Sequence, residues 1–222
     1  AGVNDGLGQN AFYPEDAIEG FRTGENPELY PNTRWQDMLL RKVFNQQRIA
    51  LDATGGNDNV KFYSNFNVLR QGSFFHTDPN EKFDSNPQKY RINFRSNIDI
   101  NVTKSFKLGF DINARQQHKN YSAFPSDSYG IFYVAQRAKP TGAPYFPDGR
   151  IKGGANAAVY VQDLTGYDKT TINTINTTFT ADWDLSFITK GLSVQGKMAY
   201  DVVNRFNKNW KKNWNYWSYD EI

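Results

Sequence analysis

From Tyr90 to Arg115 apolar and polar residues alternate almost without interruption across a very short turn. Tyr90, Ile92, Phe94, Ile98, Ile100 and Val102 fall on one face, and Arg91, Asn93, Arg95, Asn97, Asp99 and Asn101 on the other. After Thr103-Lys104-Ser105 the pattern resumes, with Phe106, Leu108, Phe110 and Ile112 opposed by Lys107, Asp111, Asn113 and Arg115. Period-two alternation puts successive side chains on opposite faces of a pleated strand. The stretch predicts a long antiparallel hairpin with one oily face and one wet one.

Two more hairpins follow the same rule. From Gln47, Ile49, Leu51 and Ala53 alternate with Arg48, Asp52 and Thr54 up to a turn at Gly55-Gly56-Asn57-Asp58-Asn59. The partner strand sets Val60, Phe62, Phe66 and Val68 against Lys61, Tyr63, Asn65 and Asn67. The last hairpin joins Ile175, Phe179, Ala181, Trp183, Leu185 and Phe187 to Leu192, Val194, Met198, Tyr200 and Val202 through Thr189-Lys190-Gly191. Residues 1–31, rich in Gly, Asn, Pro and Glu, read as loop. Thr33 with Gln36 resembles a capping box, and Trp35, Met38, Leu39 and Val43 recur at helical spacing. The chain thus divides into residues 1–46, a loop with one short helix, and residues 47–222, about six strands.

Strand length separates the environments that such hairpins could occupy. Strands of ordinary globular sheets run about 5–6 residues, whereas a tilted strand crossing a membrane needs about 9–11. Both arms of the 90–115 hairpin meet the second figure. The connections are also sorted: tight turns within hairpins, and long segments between them at 71–89 and 116–170, which contain Pro79, Pro87, Pro125, Pro140, Pro144 and Pro147. Alternating short turns and long loops is the habit of outer-membrane barrels, with turns in the periplasm and loops outside. The turns at Gly55–Asn59, Lys104 and Lys190 then face the periplasm, and the Phe74, Tyr129, Tyr145 and Trp210 regions face outward. The fold class expected is all-β, an antiparallel transmembrane β-barrel segment. About six strands fall short of the eight that the smallest such barrels have, so the chain reads as part of a larger barrel, unless several copies build one together.

Composition agrees with that reading. The chain is 38% hydrophobic and 16% aromatic, yet its mean hydropathy is −0.73. No apolar run reaches the ~18 residues of a membrane helix, and a barrel needs none. Aromatic girdles would account for the ring content, as would a carbohydrate-binding surface. A net charge of +3 is too balanced for nucleic-acid binding. Cysteine is absent, which removes disulfides and thiolate metal sites. The start, Ala1-Gly2-Val3-Asn4, lacks the features of a signal peptide. The expectation is a removed signal or a start inside a longer protein.

Several strings point to a family. Leu29-Tyr30-Pro31-Asn32-Thr33-Arg34-Trp35-Gln36-Asp37, Gly55-Gly56 followed by Val60-Lys61-Phe62-Tyr63, Gln71-Gly72, Asn93-Phe94-Arg95-Ser96-Asn97-Ile98-Asp99 and Thr189-Lys190-Gly191-Leu192 resemble the SusC/RagA-like TonB-dependent outer-membrane transporters. The resemblance covers roughly residues 27–203. It departs at Arg34, where the family commonly has an acidic residue. The resemblance implies a 22-stranded barrel plugged by an N-terminal domain, driven by the TonB complex and lidded by a SusD-like surface lipoprotein. It implies import of oligosaccharides or peptides. No plug or TonB-contacting segment is recognisable here, so contact with the TonB complex would run through that missing plug, and outer-membrane lipid would surround the strands.

Candidate chemistry is sparse. His76 and His118 lie in separate expected loops with no ligand or nucleophile at motif spacing, so no catalytic residue, metal site or cofactor is assigned. Asp78, Asp84, Asp127 and Asp148 offer carboxylates of the glycosidase type, but Pro147-Asp148-Gly149 is more simply a turn. Asn101, Asn120 and Asn176 match the glycosylation sequon by chance, two of them in expected strands. If the last strand continues, Trp210, Trp214 and Tyr216 share one face and Trp217 and Tyr219 the other, with Lys208, Lys211 and Lys212 between. Such rings suit stacking on sugars, although a membrane girdle or packing against the lipoprotein is the favoured reading; the ligand-binding candidates are Trp210, Trp214, Tyr216 and Trp217. Arg91, Arg95, Asp99, Lys107, Asp111 and Arg115 form a mixed-charge ladder, read as cross-strand or plug-holding ion pairs. Two alternatives stand: a secreted β-sandwich carbohydrate-binding module, whose apolar faces meet in a core, and a passive porin, which would not need the family strings. An enzyme is least supported.

Overall fold

The computed structural model describes residues 13–73, 75–76, 83–123, 131–153 and 164–218. Phe74, Asp78, Pro79, Pro125, Asp127, Tyr129 and Tyr219 lie outside the described residues. Six strands form one antiparallel sheet in simple sequence order: β1 (Gln46–Gly56), β2 (Val60–Gln71), β3 (Gln88–Asn101), β4 (Phe106–Ser122), β5 (Gly166–Asp184) and β6 (Ser193–Lys211). Every neighbour in the sheet is also the neighbour in sequence, and β1 and β6 are its two edges.

Each tight connection is fixed by a side-chain oxygen that takes up backbone N–H groups. Asn57 Oδ1 accepts from the N–H groups of Asn59 and Val60, both at 2.9 Å. Gly56 precedes it at φ 150°, where a Cβ would stand 2.3 Å from the Val60 carbonyl oxygen. Thr103 Oγ1 accepts from Ser105 and Phe106 at 3.2 and 3.0 Å. Asp184 Oδ1 accepts from Ser186 N–H at 2.8 Å, and the Leu185–Leu192 bond closes that turn at 2.9 Å. These are Asx- and hydroxyl-capped turns, the chemistry that short Asn, Asp and Thr side chains supply.

The strands run further than the alternation predicts. β4 continues to Ser122 and β5 begins at Gly166, so residues 116–122 and 166–170 are paired strand and not loop. There Gln116, His118 and Asn120 replace the apolar residues of the oily face, so the period-two signal disappears while the ladder persists. His118 accordingly sits in a strand.

Helices are also more numerous than the single one expected. Three occur among the described residues: α1 (Glu15–Thr23), α2 (Trp35–Leu39) and α3 (Ile131–Arg137). α1 lies inside the segment read as loop. Glu15 and Asp16 sit at its positive end, and Gly24 at φ 66° ends it by donating to Gly20 O at 2.9 Å. Phe21 stacks edge-on against Tyr30 at 5.3 Å, and Gly20 lets that ring approach where a Cβ would meet it at 2.3 Å. α2 stops at Leu39, before Val43. The expected Thr33 capping box does not form: Arg34 is the N-cap without a side-chain cap bond, and Thr33 Oγ1 instead donates to Gly142 O at 2.7 Å.

That long-range bond belongs to a small packed unit at the loop end of the sheet. Trp35, Leu39 and Ala135 form its buried cluster, flanked by Met38, Leu40 and Ala138. Trp35 Nε1 donates to Lys139 O at 2.9 Å, Thr33 N–H to Pro140 O at 2.8 Å, and His76 N–H to Leu39 O at 2.8 Å. The segment before β1 is thereby tied to the connections after β2 and β4.

Candidate functional site

Because the register is continuous across all five strand pairs, the face of each residue follows from that of its neighbour. Phe62, Ile98, Phe110, Phe179 and Met198 form one row of the apolar face; Phe66, Phe94, Ala114, Ile175 and Val202 form another. Nothing among the described residues covers them: Phe66 is 40% exposed, Phe179 45% and Met198 62%. The sheet's oily face is therefore bare across its six strands, whereas soluble monomers rarely leave a large contiguous apolar patch exposed.

Acidic residues are sorted with complete consistency. Asp52, Asp99, Asp111, Asp168, Asp182, Asp184 and Asp201, every carboxylate in the strands, lie on the polar face. The apolar face carries none. Its cations are Arg70, Lys169 and Lys208, all near the loop ends of their strands.

The polar face is a hydrogen-bonded amide and carboxylate wall. Asp52 Oδ1 accepts from Tyr63 Oη at 2.7 Å and Asn65 Nδ2 at 2.8 Å. Asn97 donates to Asp111, Asn176 Nδ2 donates to Asp201 Oδ1 at 2.8 Å, and Gln195 Nε2 donates to Asp182 Oδ1 at 2.6 Å. The mixed-charge ladder expected from sequence does not form ion pairs. Within β3–β4 the register sets Asn113 opposite Arg95, Asn97 opposite Asp111, Gly109 opposite Asp99 and Asn101 opposite Lys107, whereas Lys61 faces Asp99 across β2–β3 and Lys107 faces Asp182 across β4–β5 without closing to ion-pair distance. Among the described residues the ion pairs are Arg22–Glu19, Arg34–Asp37 and Arg150–Asp148, all outside the sheet. Charge is also graded along this wall. Its loop half holds Arg48, Lys89, Arg91, Arg115, Lys119, Arg205 and Lys211 against Asp168 alone, whereas the turn half holds the other carboxylates. At the turn end of β1–β3 the wall opens into a recess of about 510 Å3, lined in part by Thr54, Asp58, Lys61, Tyr63 and Asp99.

The four aromatic candidates are divided. β6 ends at Lys211, so the continued alternation that would align them does not occur. Trp210 lies on the apolar face opposite Tyr167, stacked on it at 6.0 Å and edge-on to Phe83 at 4.9 Å. Trp214 and Tyr216 pair edge-to-face at 6.1 Å. Trp217 is drawn to the 144–153 loop: its N–H donates to Ile151 O at 2.8 Å, and its carbonyl accepts from Gly153 N–H at 2.6 Å. Tyr216 lies against Gly153, where a Cβ would stand 2.6 Å from the ring.

One feature of this loop is absent from the sequence expectations. The Arg150 guanidinium sits 5.0 Å from the Trp217 ring centroid and 5.6 Å from that of Phe146, while its Nε donates to Asp148 Oδ2 at 2.6 Å. The Arg150 backbone N–H, at 3.0 Å, and then its side chain hold the Asp148 carboxyl below its usual range. Only the Pro147-Asp148-Gly149 turn was visible in sequence, and Gly149 at φ 83° completes it. Asp84 is likewise engaged locally, accepting from Asn86 N–H at 3.0 Å and Gln88 Nε2 at 2.7 Å. His118 Nδ1 shares a hydrogen bond with Thr171 Oγ1 at 2.8 Å. No group of three potential metal ligands occurs among the described residues.

Comparison with known proteins agrees with the wall's architecture. No family model matches the chain. The chain is 32% identical over 131 residues to TonB-dependent receptor P26 of Formosa agariphila, an alignment covering 58% of this chain and 11% of that protein. Its fold is similar to the RagAB peptide transporter, with a TM-score of 0.57 at 14% identity. It is similar as well to the RagAB peptide importer in the closed-closed state, with a TM-score of 0.58 at 14% identity. Each structural match covers 78% of this chain and 19% of the other. The chain thus spans a small part of the length of the proteins it resembles, and the resemblance to SusC/RagA-like TonB-dependent transporters read from its strings is borne out.

Proposed function

We propose that this chain forms part of the barrel wall of a TonB-dependent transporter in a bacterial outer membrane, importing oligosaccharides or peptides with a SusD-like surface lipoprotein. The observation that carries the reading is the complete sorting of strand carboxylates away from an uncovered apolar face. A bilayer core has no use for carboxylates and welcomes bare Phe, Ile and Met; a water-filled lumen tolerates amides and charges. A sandwich core would have to cover the apolar face with a second sheet. The similarity to a TonB-dependent receptor supports energy coupling over passive diffusion. The 22-stranded closure and the plug are part of the proposal.

In this reading the loop-end unit around Trp35 and Ala135 and the Trp217–Arg150–Phe146 strap stand at the cell surface. Trp214, Tyr216 and Trp217 offer rings to cargo or to the lipoprotein; Trp210 belongs to the outer girdle. Cargo entering the lumen would meet the cation-rich half of the wall first. The test is uptake of labelled oligosaccharide and peptide libraries by cells carrying the full-length polypeptide, with and without a working TonB complex. TonB-dependent accumulation supports the proposal; accumulation indifferent to TonB would make the protein a porin. Substituting Trp214 and Trp217 with Ala should lower cargo or lipoprotein binding while leaving the barrel assembled. Unchanged binding of both would remove these rings from the site.

A further inference from the structure

The apolar face changes character abruptly toward the loop ends. Above the row of Ala114, Ile175 and Val202 comes a row of neutral amides, Gln116, Asn173 and Asn204. Two rows further on, Lys169 of β5 and Lys208 of β6 stand directly opposite each other. Directly opposed residues hold their Cβ atoms about 4.5–5.5 Å apart, and like charges so placed repel. Among the described residues no carboxylate pairs with either lysine. Tyr167 and Trp210 form the next row, with the Lys169 ammonium 4.6 Å from the Tyr167 ring centroid. Phe206 lies on the side toward the membrane core.

We propose that Lys169 and Lys208 form a binding site for the phosphate of an anionic lipid headgroup in the outer leaflet. The inference rests on the barrel reading and its orientation, loops outward. The pair sits just beyond the apolar band, at the height where acyl chains give way to headgroups, between rings of the kind that anchor at that interface. Two lysines directly opposed on hydrogen-bonded strands have the reach to bring both ammonium groups to one phosphate. An anion there converts the cross-strand repulsion into attraction. Lys208→Gln alone leaves half of this pair, and the lipid chains would lie along Ile175, Val202 and Phe206.

The test uses the full-length polypeptide, extracted in a neutral detergent, delipidated and titrated with phosphatidylglycerol or phosphatidylcholine, with bound lipids counted by native mass spectrometry. The wild type should retain phosphatidylglycerol in preference. With each surface lysine contributing about fivefold to anionic-lipid affinity, Lys169→Gln/Lys208→Gln should lose about 30-fold and Lys208→Gln about fivefold. Arg91→Gln, on the polar face, should change nothing. Equal retention of the two lipids, or a preference that survives the double substitution, overturns the site. A polypeptide found only in the soluble fraction would instead overturn the barrel reading, so the two failures are separable.

Discussion

Phe179 offers a direct energetic test of what the apolar face touches. It lies in the middle of that face, its ring 4.8 Å from Phe110 and its backbone paired with Met198. Arginine at the bilayer midplane costs about 2–4 kcal/mol. Removing the phenyl group from an apolar surrounding forfeits another ~1.5–3 kcal/mol. Phe179→Arg should therefore destabilise by ~4–7 kcal/mol, comparable with a domain's whole stability of ~5–15 kcal/mol. Thr178→Arg, one residue away on the polar face opposite Asp111, should stay within ~1 kcal/mol. A protein core would also reject Arg, so Phe179→Trp supplies the discrimination. Overpacking a core costs ~1–3 kcal/mol, whereas lipid chains move aside and the cost should be near zero. The assay is guanidinium unfolding of the full-length polypeptide in lipid vesicles, followed by tryptophan fluorescence and by loss of heat-modifiable gel mobility. A Phe179→Trp penalty of core size, or a tolerated Phe179→Arg, would refute the reasoning.

Three other outcomes follow from the geometry. Gly56→Ala should cost ~1–3 kcal/mol through its positive φ and the approach to the Val60 carbonyl, read as slower assembly of the β1–β2 hairpin. Trp35→Phe, which removes the bond to Lys139 O, should cost ~0.5–1.5 kcal/mol; Trp35→Ala should cost ~3–5 kcal/mol and open residues 131–140 to proteases while the strands stay resistant. The depressed carboxyl of Asp148 gives the strap a pH dependence of definite sign: its contribution is present above the ordinary carboxylate pKa and is lost as pH falls through the lower folded value. Trp217 emission should shift in that acid window, and Asp148→Asn should abolish the step.

How much was legible depended on where the two faces of each strand differ in polarity. Between Tyr90 and Arg115 one face is apolar and the other polar, so alternation reports the strands and their faces. Beyond Gln116 both faces are polar, and the strand tips carry no periodic signal although the backbone pairing continues to Ser122. Helix α1 was hidden because its partner, Tyr30, lies outside the helix, and its Gly20 and Gly24 read as loop residues. The Arg150 strap escaped for a different reason. It depends on Trp217 meeting a loop more than sixty residues earlier, a contact that no local spacing announces. The aromatic candidates were found as residue types, but their shared face assumed a strand that ends at Lys211.

These 222 residues contain no cysteine, so cysteines introduced here report from known places once any cysteine elsewhere in the full-length polypeptide has been replaced. Single cysteines placed in turn from Asn173 to Trp183 along β5 of the full-length polypeptide would be labelled in intact outer membranes with a water-soluble maleimide and with a lipid-soluble probe. The account predicts strict alternation: even positions such as Thr178 and Thr180 react from water, and odd positions such as Ile175 and Phe179 react only from lipid. Odd positions shielded from both reagents would mean a covered protein core, and the transmembrane wall would be contradicted.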